Sequence, residues 1–330
     1  MIALAEISSA PWLLFIVVIL FFLALDLGVF HRHAHVVRYS EALLWTGIWF
    51  ACAMAFGLLA APNLVRGWTR DDTIAFITGY LIELSLSMDN VFVIALLLAY
   101  FAVPQQLQHR VLFWGILGAL VMRGLMIGVG VVVIHEFEWV LYAMGAFLLF
   151  SGIKMALAGD DEVDPERNII IRLVRKLFPV SSQFDGQHLL TRVSGRRALT
   201  PLALVLVSVE TTDLIFAVDS IPAIFGVTGN GFIIFTSNVF AILGLRSLYF
   251  VLAGAIGYFR YLKVGLALVL VFIGIKMVID PHASTPRWFQ ADIPTSLSLG
   301  VVAAIIAASM LTSWVATRRE AGRERGKGDR

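Results

Sequence analysis

The sequence predicts an all-α, polytopic transmembrane protein of about nine spans that contains two inverted three-helix repeats. Hydrophobic residues make up 59% of the chain, the mean hydropathy is +0.86, and charged residues make up only 15%. Soluble domains carry about 25% charged residues. Apolar runs long enough to cross a bilayer recur along the whole chain. Several segments also resemble each other at a nearly constant spacing, which predicts the repeats.

Each apolar run is long enough for one membrane crossing. The predicted spans are 11–31, 42–61, 73–101, 110–134, 138–157, 200–226, 232–257, 262–280 and 297–317. The first is interpreted as an anchor and not as a signal peptide, because no Lys or Arg precedes it and no small-residue cleavage site follows it. We therefore expect a single transmembrane domain over 1–330.

Basic residues in the loops predict the orientation. With the N-terminus outside, the inner segments carry 18 Lys and Arg residues and the outer segments carry three. Inner loops of membrane proteins are enriched in these residues. The asymmetry favours nine spans with the N-terminus outside and the C-terminus inside, followed by a basic cytosolic tail over 318–330.

The repeats are predicted to cover 73–157 and 200–280, with the leading helix pair 11–61 and the last span 297–317 outside them. The stretch from Ser87 to Val93 matches the stretch from Thr211 to Ala217, "LGALVMRGL" matches "FAILGLRSL", and "FSGIKM" matches "FIGIKM". Three spans per repeat invert the second copy relative to the first. Many secondary transporters have this architecture, with ion sites at the repeat interface. Retention of the repeat for packing alone is the alternative.

A cytosolic linker, 158–199, joins the repeats. It begins acidic ("GDDEVDPE") and becomes basic ("RNIIIRLVRKLF"). Its apolar residues follow helical spacing, with Arg172, Arg175 and Lys176 on the other face. This pattern predicts an amphipathic basic helix on the membrane surface.

Five carboxylates lie within two matched apolar spans. They are Glu83, Asp89, Glu210, Asp213 and Asp219. Acidic residues inside a membrane are costly and mark ion or proton pathways. Hydroxyl and amide oxygens lie nearby in sequence, and neither His nor Cys occurs in these spans. Oxygen ligands suit Ca²⁺, Mg²⁺ and Mn²⁺. We therefore predict a metal site formed by the five carboxylates, with supporting or gating roles for Asn90, Ser87, Thr212, Arg123, Arg246 and Asp26.

The charges of this predicted core do not balance. Five carboxylates and two arginines leave three negative charges if all are ionised. A low-dielectric interior does not tolerate this surplus, so bound cations or protons must compensate it. Exchange of a divalent cation for protons follows from this balance. Pairing with Arg123 and Arg246 to fix helix registry is an alternative, although two arginines cannot neutralise five carboxylates.

Two residues carry further alternatives. Asp219 precedes Pro222, which removes a backbone donor at the carbonyl of Val218 and is predicted to kink or break the helix. Asp219 is therefore either a ligand or a capping residue. Asp26, at the inner end of the first span, is interpreted as an interfacial or supporting residue.

The segments "ELSLSMDNVFVIAL" and "VETTDLIFAVDSIPA" resemble the paired signatures of the TerC family of integral membrane proteins, which includes the Alx proteins. The resemblance covers nearly the whole chain. It implies a bacterial inner-membrane protein linked to manganese export and metal homeostasis, in a family named after tellurium-resistance operons. The family's acidic motif residues correspond to the five carboxylates above. The residues alone predict a cation site, and only the resemblance indicates manganese.

The residues and the resemblance together predict a multi-pass secondary transporter that exports Mn²⁺ in exchange for protons. An exchanger of Ca²⁺ or another divalent cation with the same architecture is the first alternative. A membrane partner in metallation of exported proteins or in tellurium resistance is the second alternative. No nucleotide-binding loop, nucleophile triad or zinc-protease helix occurs, so we expect no enzyme and no resident cofactor. The expected partners are the metal, protons and bilayer lipids, without nucleic acid; a homo-oligomer is left open.

Overall fold

The structure is a computed structural model, and it describes residues 9–25, 39–157, 169–181, 183–193, 195–253, 262–280 and 293–328. The helices are α1 (Ser9–Leu25), α2 (Tyr39–Ala55), α3 (Ala61–Leu64), α4 (Arg70–Tyr100), α5 (Gln105–Glu136), α6 (Trp139–Leu157), α7 (Ile169–Leu177), α8 (Pro201–Phe225), α9 (Gly231–Ala253), α10 (Leu262–Ile279) and α11 (Thr295–Gly328). A π-helical turn, Phe56–Ala60, joins α2 to α3, and strands β1 (Leu190–Val193) and β2 (Arg196–Leu199) form a hairpin.

Seven helices of the described residues are long and apolar enough to cross a membrane. They are Tyr39–Leu64, Arg70–Tyr100, Gln105–Glu136, Trp139–Leu157, Pro201–Phe225, Gly231–Leu252 and Thr295–Ser313, and a shorter apolar helix covers Ser9–Leu23. The all-α, polytopic membrane fold is confirmed. Nine crossings, the inverted repeats and the domain boundaries stay predictions.

The outer surface of the bundle is apolar. Leu125, Phe150 and Ile215 are each at least 60% exposed although they lie in the middle of long helices. A surface of this kind is stable where lipid replaces water, because the backbone polar groups are satisfied within each helix. The charged side chains of Glu83, Arg123 and Asp213, in contrast, lie inside the bundle.

Local sequence signals begin the two central helices. Thr69 and Asp72 form a capping box at the start of α4, with the backbone N–H of each residue bonded to the side chain of the other. Thr200 caps α8, and Pro201 occupies the first turn, where a missing N–H is harmless. Both helices then extend far enough to carry acidic residues into the bundle.

Of the two outcomes predicted at Pro222, a kink or a break, the break is wrong. Pro222 lies inside α8, and the helix continues to Phe225, where the N–H of Gly226 bonds the carbonyl of Pro222. A proline in the last turn removes one backbone hydrogen bond, and little helix remains beyond it to be displaced. Asp219 therefore stays on a continuous helix.

Helices of the first predicted repeat pack on helices of the second. The principal contacts join α4 with α9, α5 with α8, and α6 with α10. In the predicted repeats α4 corresponds to α8, α5 to α9, and α6 to α10. When the two repeats are exchanged, the α4–α9 contact therefore becomes the α8–α5 contact, and the α6–α10 contact stays the same. The pattern agrees with a two-fold relation between the repeats.

Small residues allow α6 and α10 to approach closely. A Cβ atom added to Gly274 would lie 2.9 Å from the carbonyl oxygen of Gly145, and one added to Gly152 would lie 2.9 Å from that of Ala267. Ala267 follows Gly145, and Gly274 follows Gly152, by the same 122 residues. The two contacts are therefore reciprocal, and their order makes the helices antiparallel, as inversion of one repeat requires. Small residues of this kind are typical of membrane helix crossings.

The linker covers one end of the bundle. There the last turns of α4 and α9 and the first turns of α5 and α8 form an apolar cluster, and Phe184 and Leu189 pack against it. Arg110 donates to Gln187 at 2.6 Å, and the Tyr249 hydroxyl donates to Gln108 at 3.1 Å. These contacts bring together, at one end of the bundle, the segments that the predicted topology assigns to the inner side of the membrane.

Candidate functional site

A buried ion-pair cluster centred on Arg123 lies where α4, α5 and α8 meet. The Arg123 side chain binds Asp213 of α8 through two hydrogen bonds, Nε to Oδ2 at 3.2 Å and Nη2 to Oδ1 at 2.9 Å. Its Nη1 also donates to Oε1 of Glu83 on α4. Arg123 is 2% exposed, Glu83 is 0% exposed and Asp213 is 7% exposed. The guanidinium thus joins one carboxylate from each predicted repeat.

Neutral polar groups complete the cluster. The Ser87 hydroxyl donates to Glu83 Oε1 at 3.3 Å, and Arg123 Nη1 donates to Ser220 Oγ at 3.2 Å. On α9, Asn238 donates through Nδ2 to Glu83 Oε2 at 3.0 Å. Four helices therefore contribute to one hydrogen-bonded group.

Helical periodicity explains this convergence. Glu83 and Ser87 are four residues apart on α4, which places them on one face. Asp213 and Ser220 are seven residues apart on α8, close to two full turns. Each helix therefore contributes one carboxylate and one hydroxyl to the cluster.

The cluster keeps one negative charge when its three ionisable groups are charged. Burial of ions is costly unless charge pairing and hydrogen bonds compensate the lost hydration. Arg123 balances one of the two carboxylates, and the serine and asparagine donors partly satisfy the other. The arrangement can therefore accept additional positive charge between Glu83 and Asp213.

The other predicted ligands make further contacts. Asp219 accepts a hydrogen bond from Ser151 of α6 at 2.7 Å, and Lys154 of the same helix acts on it electrostatically. Glu210 lies against Gly118 of α5, where any added Cβ would overlap its carboxyl group, and it is within electrostatic range of Asp213.

Asp89 and Arg246, the arginine of the second predicted repeat, lie among other residues. Asp89 is partly buried and lies within electrostatic range of Lys263. Arg246 lines a pocket with aromatic residues of other helices, including Trp49 and Phe113.

Two of the five predicted ligands contact Arg123. Glu83 and Asp213 come together, and among the described residues no three His, Cys, Asp or Glu side chains form a group that could hold a metal ion. Shared ligation by all five carboxylates stays a prediction. Of the predicted supporting residues, Ser87 and Arg123 belong to the cluster, Asn90 is buried on α4 and Thr212 is half-buried on α8. Asp26 lies outside the described residues.

Asn238 was not predicted from the sequence. It follows Thr236 and Ser237 in a largely apolar span, and this run of three polar residues is the signal that could have indicated it. The repeat gives no help, because the position 123 residues earlier is Gly115.

Comparison with known proteins identifies the family. Residues 68–321 match the model of the integral membrane protein TerC family. An uncharacterized membrane protein of Myxococcus xanthus, STKORF319, is 46% identical, with 94% of each chain covered. The Escherichia coli K12 protein provisionally named membrane-bound redox modulator Alx is 45% identical, covering 94% of this chain and 96% of the relative. An uncharacterized membrane protein of Rickettsia bellii is 37% identical, covering 89% and 97%.

No solved structure matches the chain. The family match covers more than half of the sequence and includes every helix that contributes to the Arg123 cluster. The chain belongs to the TerC family of integral membrane proteins.

Proposed function

We propose that this chain is a multi-pass transporter of the bacterial inner membrane that exports Mn²⁺ in exchange for protons. In this account the N-terminus is outside, the C-terminus is inside, and the protein is not an enzyme. The metal passes through a carboxylate site between the two inverted repeats.

The observation that carries the proposal is the Glu83–Arg123–Asp213 cluster. It buries two carboxylates from opposite repeats around a single arginine, within helices long enough to span the membrane. Ion sites of secondary transporters with inverted repeats lie near the midplane at the repeat interface. A purely structural ion pair needs one carboxylate for each arginine, and here a second is present.

Arg123 acts as an internal cation in this mechanism. It occupies the space between Glu83 and Asp213 while the metal is absent, and a divalent cation competes with it for the same oxygens. The metal neutralises both carboxylates, so the guanidinium has to leave the pair. Protonation of the carboxylates later lowers the affinity for the metal, and proton release restores the ion pair with Arg123.

The choice of metal rests on the donor atoms and on the family. The cluster offers carboxylate, hydroxyl and amide oxygens, which suit hard divalent cations. The resemblance to the TerC family favours manganese among them. The related Alx proteins are named for redox modulation; in this chain Cys52 is the only cysteine, so no intrachain disulfide can form.

Flux measurements with purified protein in proteoliposomes test the proposal. We expect Mn²⁺ transport to accelerate when an opposing proton gradient is imposed, and Ca²⁺ to compete weakly. Identical Mn²⁺ flux with and without the gradient would overturn proton coupling. Preferential Ca²⁺ flux would indicate a calcium exchanger, and no flux of any divalent cation would favour a non-transport partner in metallation or tellurium resistance.

A further inference from the structure

Asn238 holds an unusual position beside the Arg123 cluster. Its side chain is buried, with 1% exposure, and its Nδ2 donates to Oε2 of Glu83 at 3.0 Å. It reaches the cluster from α9. The other three helices of the cluster each contribute a charged side chain, whereas α9 contributes this neutral amide. The amide therefore contacts the carboxylate on the side away from Arg123, which binds Oε1.

The chemistry of the neighbours fixes the orientation of the amide. A carboxylate accepts hydrogen bonds, so the nitrogen of Asn238 must face Glu83 and the oxygen must lie on the other branch. The reversed amide would place two acceptor oxygens against each other. Since both branches share one carbon atom, Oδ1 remains beside the same carboxylate.

This oxygen has no hydrogen-bond partner among the described residues. Buried acceptors are normally paired, so each exception requires an explanation. The neighbouring hydroxyls do not share the feature: Thr236 bonds the carbonyl of Phe232 at 2.7 Å, and Ser237 bonds that of Ile234 at 3.2 Å. Within this polar run, Asn238 alone directs an unsatisfied oxygen into the protein interior.

We propose that Oδ1 of Asn238 is a neutral ligand for the transported divalent cation, which binds it together with Glu83. The inference rests on the proposed transport function and extends it by one residue. Amide oxygens are common ligands of hard divalent cations. A neutral ligand adds coordination without adding negative charge, so the balance between the carboxylates and Arg123 is preserved.

Replacement of the oxygen by sulfur tests this role directly. Thiolates favour soft cations, so Asn238→Cys should shift the site toward Cd²⁺. The test uses a Cys52→Ala background, which removes the only native thiol. We expect Asn238→Cys to bind Cd²⁺ at least about tenfold more tightly than Asn238→Ser, with an ultraviolet thiolate-to-cadmium absorption band.

Thr236→Cys is the matched control. Thr236 is equally buried and lies two residues earlier on α9, where its hydroxyl bonds the helix backbone. This variant should show neither tight Cd²⁺ binding nor the absorption band. An Asn238→Cys variant that behaves like the control would overturn the proposal.

A second pair of variants separates ligation from support of Glu83, and it does not require a folded cysteine variant. Asn238→Asp keeps an oxygen at the Oδ1 position but loses the donor to Glu83, whereas Asn238→Leu loses both. Ligation predicts that Asp retains Mn²⁺ binding while Leu weakens it by about 10- to 100-fold. Equal losses in the two variants would contradict ligation.

Failure of this inference is distinguishable from failure of the proposed function. A Cd²⁺ band in a protein that moves no Mn²⁺ would support the ligand and contradict transport. Mn²⁺ flux in a wild-type protein whose Asn238→Cys variant shows no band would support transport and contradict the ligand.

Discussion

Arg123 and Asp213 form a two-point ion pair between α5 and α8, with nitrogen–oxygen distances of 3.2 and 2.9 Å. Paired hydrogen bonds of this kind fix the mutual orientation of both groups as well as their distance. The pair crosses from the first predicted repeat to the second. Glu83 contacts the same guanidinium from α4. A substitution of Arg123 therefore removes an ion pair from a carboxylate in each predicted repeat.

Removal of Arg123 should destabilise the protein. Arg123→Gln leaves two buried carboxylates without their cation, and breaking a buried ion pair costs about 3–5 kcal/mol. Thermal unfolding in detergent should show a large loss for this variant and almost none for Arg66→Gln, which changes an exposed arginine. Added Mn²⁺ should partly restore the stability of Arg123→Gln. Wild-type stability of that variant would show that Arg123 is not the principal counterion.

The close crossing of α6 and α10 should be intolerant of larger side chains. Gly274→Ala places a Cβ atom 2.9 Å from the backbone carbonyl of Gly145, so the helices must separate. Overpacking of this kind costs about 1–3 kcal/mol. Gly300→Ala on α11 is the control, because nothing lies within 4 Å of the added atom. Equal unfolding temperatures for the two variants would contradict the close crossing.

Asp219 should contribute less to metal binding than Asp213 does. Its carboxylate bonds Ser151 on α6 and does not contact Arg123. We expect Asp219→Asn to bind Mn²⁺ with an affinity within about threefold of wild type, whereas Asp213→Asn should lose at least about tenfold, or 1.4 kcal/mol. Isothermal titration of both variants measures the difference. A loss in Asp219→Asn as large as that in Asp213→Asn would place both residues in one site and favour the five-carboxylate arrangement.

The basic helix α7 should lie with one face in the membrane surface. Leu173 and Leu177 are four residues apart and more than half exposed, while Arg172 and Lys176 form another exposed face. A fluorophore attached to Leu173→Cys in a Cys52→Ala background should be quenched by brominated lipid. The same label at Lys176→Cys should be quenched by aqueous iodide. Iodide quenching of both labels to the same extent would show that α7 lies away from the bilayer.

The sequence was sufficient for the membrane fold because apolar runs of this length have no other stable environment. It also indicated Glu83, Asp213 and Arg123, because charged residues within such runs need compensation. It could not assign their partners. Asp89 and Arg246 match Asp213 and Arg123 in the predicted repeats, but the contacts of each side chain depend on the rotation of its helix, and repeat spacing does not fix that rotation.

Other features could not be predicted from the sequence, for different physical reasons. The β1–β2 hairpin has four-residue strands within a polar linker, so it carries no periodic apolar signal. Pro222 normally interrupts a helix, and its harmless position became visible only with the end of α8 at Phe225. The role of Asn238 depends on contact between α4 and α9, which are separated by more than 100 residues along the chain.

The central claim is that Glu83 and Asp213 hold the transported metal in competition with Arg123. Mn²⁺ flux into proteoliposomes tests it most directly when wild type is compared with Glu83→Gln, Asp213→Asn and the exposed control Asp71→Asn. We expect both site variants to lose transport and the control to retain it, with all four proteins reconstituted to the same density. Wild-type flux in Glu83→Gln and Asp213→Asn would contradict the account.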